Sequence, residues 1–386
     1  MGWIGPVASA SSPATTVVMT APLSVTATYK YITTTTVQAA SGKYGSTVTL
    51  KATVTSPGLG PTDGAVQFKV GGTNVGLPVP VTGNTANTTY VISYPAGPYN
   101  ITAIFIPSTV YSDSSSGTNT LTVTKAPIVF SGSSSNLKTV PAGPGGTASF
   151  LSKFTVSKVG GNNPLSTTPA TMAKPLASTA ATADTTDADI ANAQITMTLI
   201  PMIGTGNINC PVTYSAPVDG AITATATCSR VPVNAYDVQV RSAGDYFEGD
   251  PLNSVLAVTD PTLKAQFHGE GTVRVGGLSD RFSFEVQSKP EDFRNSPKGV
   301  INYRSPRASG EIRIDAASIT SISATAGAVA IIGQGTVNGA GDYTIVVIAK
   351  GSKGKGGDTL GFRVLGLTPA LSYNPVATAS GTIVSQ

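Results

Sequence analysis

The stretch TTTTVQAASGKYGSTVTLKATVTSPGLGPTDGAVQFKV, residues 33–70, decides the fold class. In an extended chain Val48, Leu50, Ala52 and Val54 point one way, while Thr47, Thr49, Lys51 and Thr53 point the other. Pro61, Asp63 and Gly64 mark a turn, after which AVQFKV resumes the same alternation. YNITAIFIP (99–107) and NTLTVTK (119–125) follow the same period. Short strands joined by Gly/Pro turns predict a two-sheet sandwich of roughly 100 residues.

The whole chain agrees with this stretch. Its 386 residues are 40% apolar and only 11% charged. The Lys, Glu, Leu and Gln that cover soluble helices are scarce, whereas Thr and Val abound, so the expectation is an all-β protein. At about 150 residues per domain, two or three domains are expected. The net charge of +4 is uneven: residues 1–261 hold 11 Lys/Arg against 11 Asp/Glu, and residues 262–386 hold 13 against 9. That excess is too thin for the clustered basic stripe of a nucleic-acid partner. The longest apolar run, AGAVAIIG (326–333), is strand-length, far short of the roughly 20 residues of a spanning helix.

Residues 33–68, with AGPYNITAIFIPSTVYSDSSSGTNTLTVT (96–124), resemble the repeat-type bacterial immunoglobulin-like domains. The resemblance implies a sandwich over residues 31–126. GTASFLSKFTVSK (146–158), AQITMTLIP (193–201) and AYDVQVRSAGDYFEGDPLNSVLAVTDP (235–261) repeat the pattern, with Tyr236 matching Tyr99 and Asp237 matching Asn100. Residues 127–261 are therefore read as a divergent second immunoglobulin-like domain, with a long, low-complexity, flexible insertion near 159–192. In the last section, GQGTVNGAGDYTIVVIAKG (333–351) and GGDTLGFRV (356–364) resemble the post-COAP domain that ends many bacterial surface proteins. This implies a small antiparallel β domain over 262–386. It departs from that pattern in having Leu365 and Gly366 where a Trp is often found.

MGWIGPVASASSPATTVVMTAPLSVTATYK (1–30) resembles the end of an internalin-type repeat. It reads as the remnant of an upstream β repeat, a severed end rather than a beginning, because a secretory signal needs a basic start and an unbroken apolar stretch. TTVVM (15–19) and LSVTATY (23–29) are expected to pair as a hairpin, with Trp3 packing on strands outside this chain.

Few side chains offer chemistry. Cys210 and Cys228 flank two alternating segments around a three-residue loop, Val218, Asp219 and Gly220, which sets them opposite each other. They read as a disulfide in preference to two buried thiols, and so as an oxidising compartment. His268 is the single histidine, so a Ser-His-Asp relay would have to use it and a zinc site lacks ligands. GSKGKGGDT (351–359) lacks the order of a phosphate loop. Asp245, Glu248 and Asp250, with Asp260 returning nearby, form a candidate calcium site; the plainer alternative is turn residues. Residues 1–247 contain no Glu, leaving only Asp63 or Asp113 to assist a Lys–Asn crosslink in the first domain, which is not expected.

No catalytic or cofactor-binding residue is nominated. The reading is a non-enzymatic extracellular or cell-surface scaffold, adhesin-like, whose tandem domains serve as spacer and binding surface for an unknown protein or glycan ligand. The alternative is an accessory, non-catalytic region of a larger secreted enzyme, carbohydrate-active in its other parts.

Overall fold

The computed structural model describes residues 2–58, 62–108, 110–132, 137–159, 190–218, 221–289, 297–307, 310–325, 327–351, 357–368 and 370–385. Most of the low-complexity insertion, Asp219 and Gly220 of the cysteine hairpin, and residues 352–356 of the basic tip lie outside them.

At the N-terminus β1 (Gly2–Ile4) pairs antiparallel with β2 (Thr26–Thr28). The strand partner of LSVTATY is thus Gly2–Ile4 and not TTVVM, whose Val18 and Met19 are exposed. The expected hairpin fails because a closer bonded turn intervenes: Ala8 N–H donates to Thr16 O at 2.8 Å, and Trp3 Nε1–H donates to Ser12 O at 2.9 Å. Trp3 is held within its own segment.

The first sandwich comprises β3 (Thr34–Val37), β4 (Ala40–Lys43), β5 (Thr47–Thr55), β6 (Gly64–Val70), β7 (Thr73–Pro80), β8 (Thr85–Val91), β9 (Gly97–Pro107), β10 (Ser114–Ser115) and β11 (Asn119–Thr124). One sheet has the order β3-β5-β8 and the other β4-β11-β9-β6-β7, with β10 on β9. The alternation of β5 does what its sequence demands: Leu50, Ala52 and Val54 are fully buried, facing Phe68 and Phe105 within one core. The opening strand crosses between sheets, since β3 is antiparallel to β5 while β4 is parallel to β11.

The second sandwich follows after Lys125 alone. It comprises β12 (Ala126–Ser131), β13 (Leu137–Pro141), β14 (Thr147–Lys158), β15 (Gln194–Pro201), β16 (Ile208–Cys210), β17 (Val212–Tyr214), β18 (Ala221–Pro232), β19 (Asn234–Ala243), β20 (Phe247–Glu248) and β21 (Leu252–Thr259). Its sheets, β17-β18-β14-β12-β20 and β13-β21-β19-β15-β16, repeat the first topology, including the parallel pair β13–β21. The sequence match of Tyr99 with Tyr236 has a structural counterpart. Tyr99 Oη–H donates to Pro95 O at 3.0 Å and Tyr236 Oη–H to Pro232 O at 2.8 Å, the tyrosine corner of immunoglobulin-like sandwiches.

The last section is a closed eight-stranded antiparallel barrel: β22 (Ala265–Val275), β23 (Leu278–Ser288), β24 (Lys298–Ser305), β25 (Ile312–Thr325), β26 (Ala328–Val337), β27 (Ala340–Lys350), β28 (Thr359–Leu365) and β29 (Leu371–Ser385), with β29 returning to β22. Closure removes both sheet edges. At the seam Gly381 adopts φ +103°, and a β-carbon there would lie 1.9 Å from Glu270 O, so the strands approach as only glycine permits. Aromatic and branched side chains, Phe284, Ile301, Ile345 and Phe362 among them, fill the interior, as an eight-stranded barrel allows.

The barrel lies against the outer face of a sandwich sheet. Ala235, Val255 and Ala257 pack on Ala330, Ile332, Val346 and Ile348. This explains three unbroken apolar runs: Val255–Val258, Val329–Ile332 and Ile345–Ala349 are buried on both faces, as strands covered on both sides must be.

Candidate functional site

The most developed constellations of polar and aromatic groups lie at the joints. At the first, the Tyr44 ring sits edge-on to Tyr246, with centroids 4.7 Å apart, and to Phe247 at 5.4 Å. Asn192 Nδ2–H donates to Tyr44 Oη at 2.6 Å, and Ala96 N–H donates to Asp245 O at 2.7 Å. Lys125 Nζ donates to Gly244 O at 2.8 Å and lies 3.5 Å from the Asp245 carboxylate. Tyr44 occupies a turn between two strands, where an aromatic residue has no local role; that misplacement was the available signal, and sequence reading missed it. At the second joint the Arg363 guanidinium pairs with the Asp237 carboxylate, and Ser323 Oγ–H donates to Val258 O at 2.9 Å.

The expected calcium ligands do not gather. Asp245 is engaged with Lys125, while Glu248 and Asp250 are exposed. Asp260 instead accepts from the Thr262 N–H at 2.8 Å and the Thr262 hydroxyl at 2.7 Å, closing the turn that leads into the barrel. Among the described residues no group of three or more His, Cys, Asp or Glu side chains is placed to hold a metal. His268 is exposed on β22, opposite Glu285 of β23 and Val384 of β29.

Cys210 and Cys228 form a disulfide with their Cα atoms 4.8 Å apart. The hairpin register holds, since Val212 lies opposite Ala226 and Thr227 N–H donates to Pro211 O. The hairpin itself is split, however. Cys210 belongs to β16, bonded to β15 in one sheet, while β17 has moved to β18 in the other. The bond therefore ties the two sheets together where the chain crosses between them.

Inside the barrel Asp280 is fully buried. It accepts from the Tyr303 hydroxyl and from Ser305 Oγ–H at 2.6 Å, with Arg307 at 3.8 Å. Burial pushes the Tyr303 phenol strongly upward, and Tyr373 with it; in the second sandwich burial pushes Tyr236 up to about 12. These groups hold protons rather than exchange them near neutrality. A cleft of about 530 Å³ opens in the second sandwich, lined by Phe150, Phe154, Met197, Val240 and Leu252 beside the exposed Lys153, and has room for an apolar group.

Fold and joints define a class: an all-β protein of tandem immunoglobulin-like sandwiches with a barrel docked on the second. Residues 34–124 match the family Bacterial Ig-like domain (group 3). Solved structures that are similar include the fibronectin(III)-like modules of CbhA from Clostridium thermocellum, at 13% identity over 59% of this chain and 95% of that one, with a TM-score of 0.20. The titin domains z1z2 in complex with telethonin give 15% identity, 61% and 99% coverage and a TM-score of 0.25. The titin I-band fragment I67–I69 gives 12% identity, 74% and 94% coverage and a TM-score of 0.22. Scores of this size establish no common arrangement. A comparison with curated proteins gives no match. Among the described residues, no helix is long and apolar enough to cross a membrane.

Proposed function

We propose that this chain is a non-enzymatic, extracellular or cell-surface scaffold, in which tandem β domains hold a binding surface at a fixed distance and orientation. The observation that carries the reading is that both joints are bonded and buried: Tyr44 is 5% exposed in the first, and Ile332 is fully buried in the second. Domains that move independently present wetter, smaller interfaces. The Cys210–Cys228 disulfide supports an oxidising location. The ligand, a protein or glycan, is bound through loop tips or exposed strand faces rather than a deep catalytic pocket.

Small-angle scattering of the whole chain tests the reading. A single rigid arrangement is expected; a profile requiring freely reorienting domains would remove its basis. Mass spectrometry of the natively isolated protein checks the compartment, with free thiols at Cys210 and Cys228 as the contrary result.

A further inference from the structure

We infer that the outward pole of the first sandwich is a socket for another immunoglobulin-like sandwich, docked as the first sandwich docks on the second. This rests on the scaffold reading above. In the occupied joint Ala126 lies opposite Phe247 in a parallel bridge, and its N–H donates to Tyr246 O at 2.9 Å. At the outward pole Tyr31 lies opposite Tyr111 in a parallel bridge, and its N–H donates to Val110 O at 2.9 Å. Tyr31, Val110 and Tyr111 therefore hold the places of Ala126, Tyr246 and Phe247.

The two copies differ in what covers them. Ala126 is 7% and Phe247 1% exposed, beneath the Tyr44 ring; at the outward pole Tyr31 is 51% and Val110 48% exposed, and Tyr111, its ring 6.1 Å from that of Tyr31, is 8% exposed. Residues 2–28 are present and leave this surface open. Isolated apolar side chains on a surface need no explanation, but a contiguous set at a position whose internal copy is an interface does.

The occupant follows from the filled joint: a sandwich pole presenting an aromatic ring from a turn, as Tyr44 does, with a backbone N–H and a lysine beside it. A second copy of this chain cannot supply it, because its own Tyr44 is already buried against Tyr246 and Phe247. Thr109 replaces Asp245 in the sequence, so the lysine ion pair is lost. That pair joins a half-buried lysine to a largely exposed carboxylate and contributes little.

The test keeps the full chain and inserts a second copy of residues 31–125 directly after Lys125. The first copy then offers its Tyr44 and Lys125 to the second copy's Tyr31 and Val110. Spin labels on Thr49→Cys in both copies report the new joint by pulsed EPR. Labels on Thr49→Cys and Thr223→Cys in the parent chain report the existing one. All these sites are exposed strand positions. A narrow distance distribution, comparable to the parent's and broadened by Val110→Asp in the second copy alone, is expected. A broad distribution before that substitution, or a narrow one indifferent to it, overturns the socket. If the parent distance is itself broad, the scaffold reading fails first; if only the new joint is broad, the socket fails and the scaffold stands.

Discussion

Reducing the Cys210–Cys228 bond while leaving both side chains in place isolates the effect of the crosslink. The two residues are 18 apart in sequence and both are buried, so the native fold keeps its packing when the bond opens. The loss then falls mainly on the unfolded chain, which gains the freedom of an opened loop. For a loop of this length the chain-entropy estimate is about 3 kcal/mol at 25 °C. For a unit of this size, each kcal/mol moves the midpoint by roughly 3–4 °C, so reduction lowers it by about 10 °C. Differential scanning calorimetry of the oxidised and reduced chain reads this directly, and the transition that moves should be that of the second sandwich. A shift below about 2 °C, or one confined to a transition of the first sandwich, would refute the reasoning, because the sheets would then not depend on the tie.

Tyr236→Phe removes the hydroxyl bonded to Pro232 O and should cost the second sandwich about 1–2 kcal/mol in denaturant titration, with Tyr99→Phe costing the first a similar amount. Stability should also fall above pH 10. Below that value the phenols are protonated in both states; above it the unfolded chain ionises while buried Tyr236 resists until about 12, so the unfolded state binds fewer protons. Each such tyrosine, Tyr303 included, removes about 1.4 kcal/mol per pH unit across that window, measurable as a denaturation midpoint falling between pH 9.5 and 11.5 (both rough bounds). Arg363→Ala leaves Asp237 without its partner at the barrel joint and should cost about 2 kcal/mol, read as a lower midpoint in denaturant titration.

Sequence period alone identified the strands that face a single core. Leu50, Ala52 and Val54 alternate with Thr because one side of β5 meets water. The matched Tyr99 and Tyr236 were visible as repeated letters, and the cysteine register followed from counting residues to the turn. Three features were not legible, for distinct reasons. The crossing of the chain between sheets at Pro211 depends on which edge offers unpaired backbone groups, something that only the assembled sandwich decides. The pairing of Gly2–Ile4 with Thr26–Thr28 lost to a nearer alternative on paper, because the intervening turn is held by local bonds, Ala8 N–H to Thr16 O and Trp3 Nε1–H to Ser12 O, that leave no alternation in the sequence. The joints escaped notice because Asp245 looks the same whether it binds a cation or answers Lys125 across a domain boundary. The side-on docking of the barrel did leave a trace: Val255–Val258 and Ile345–Ala349 break the two-residue alternation, and a strand that is apolar throughout needs a layer on each side.

The seam of the barrel decides how tension would act on it. Phe267 of β22 lies beside Ser385 of β29, so the points where the chain comes into the barrel and leaves it are neighbours. Pulling these points apart loads the seam one hydrogen bond at a time, like a zip. In each sandwich an early strand and the last strand run parallel, β4 with β11 and β13 with β21, so a pull along the chain shears a whole ladder at once. A load carried through the chain would therefore be borne by the sandwiches, with the barrel as the part that yields.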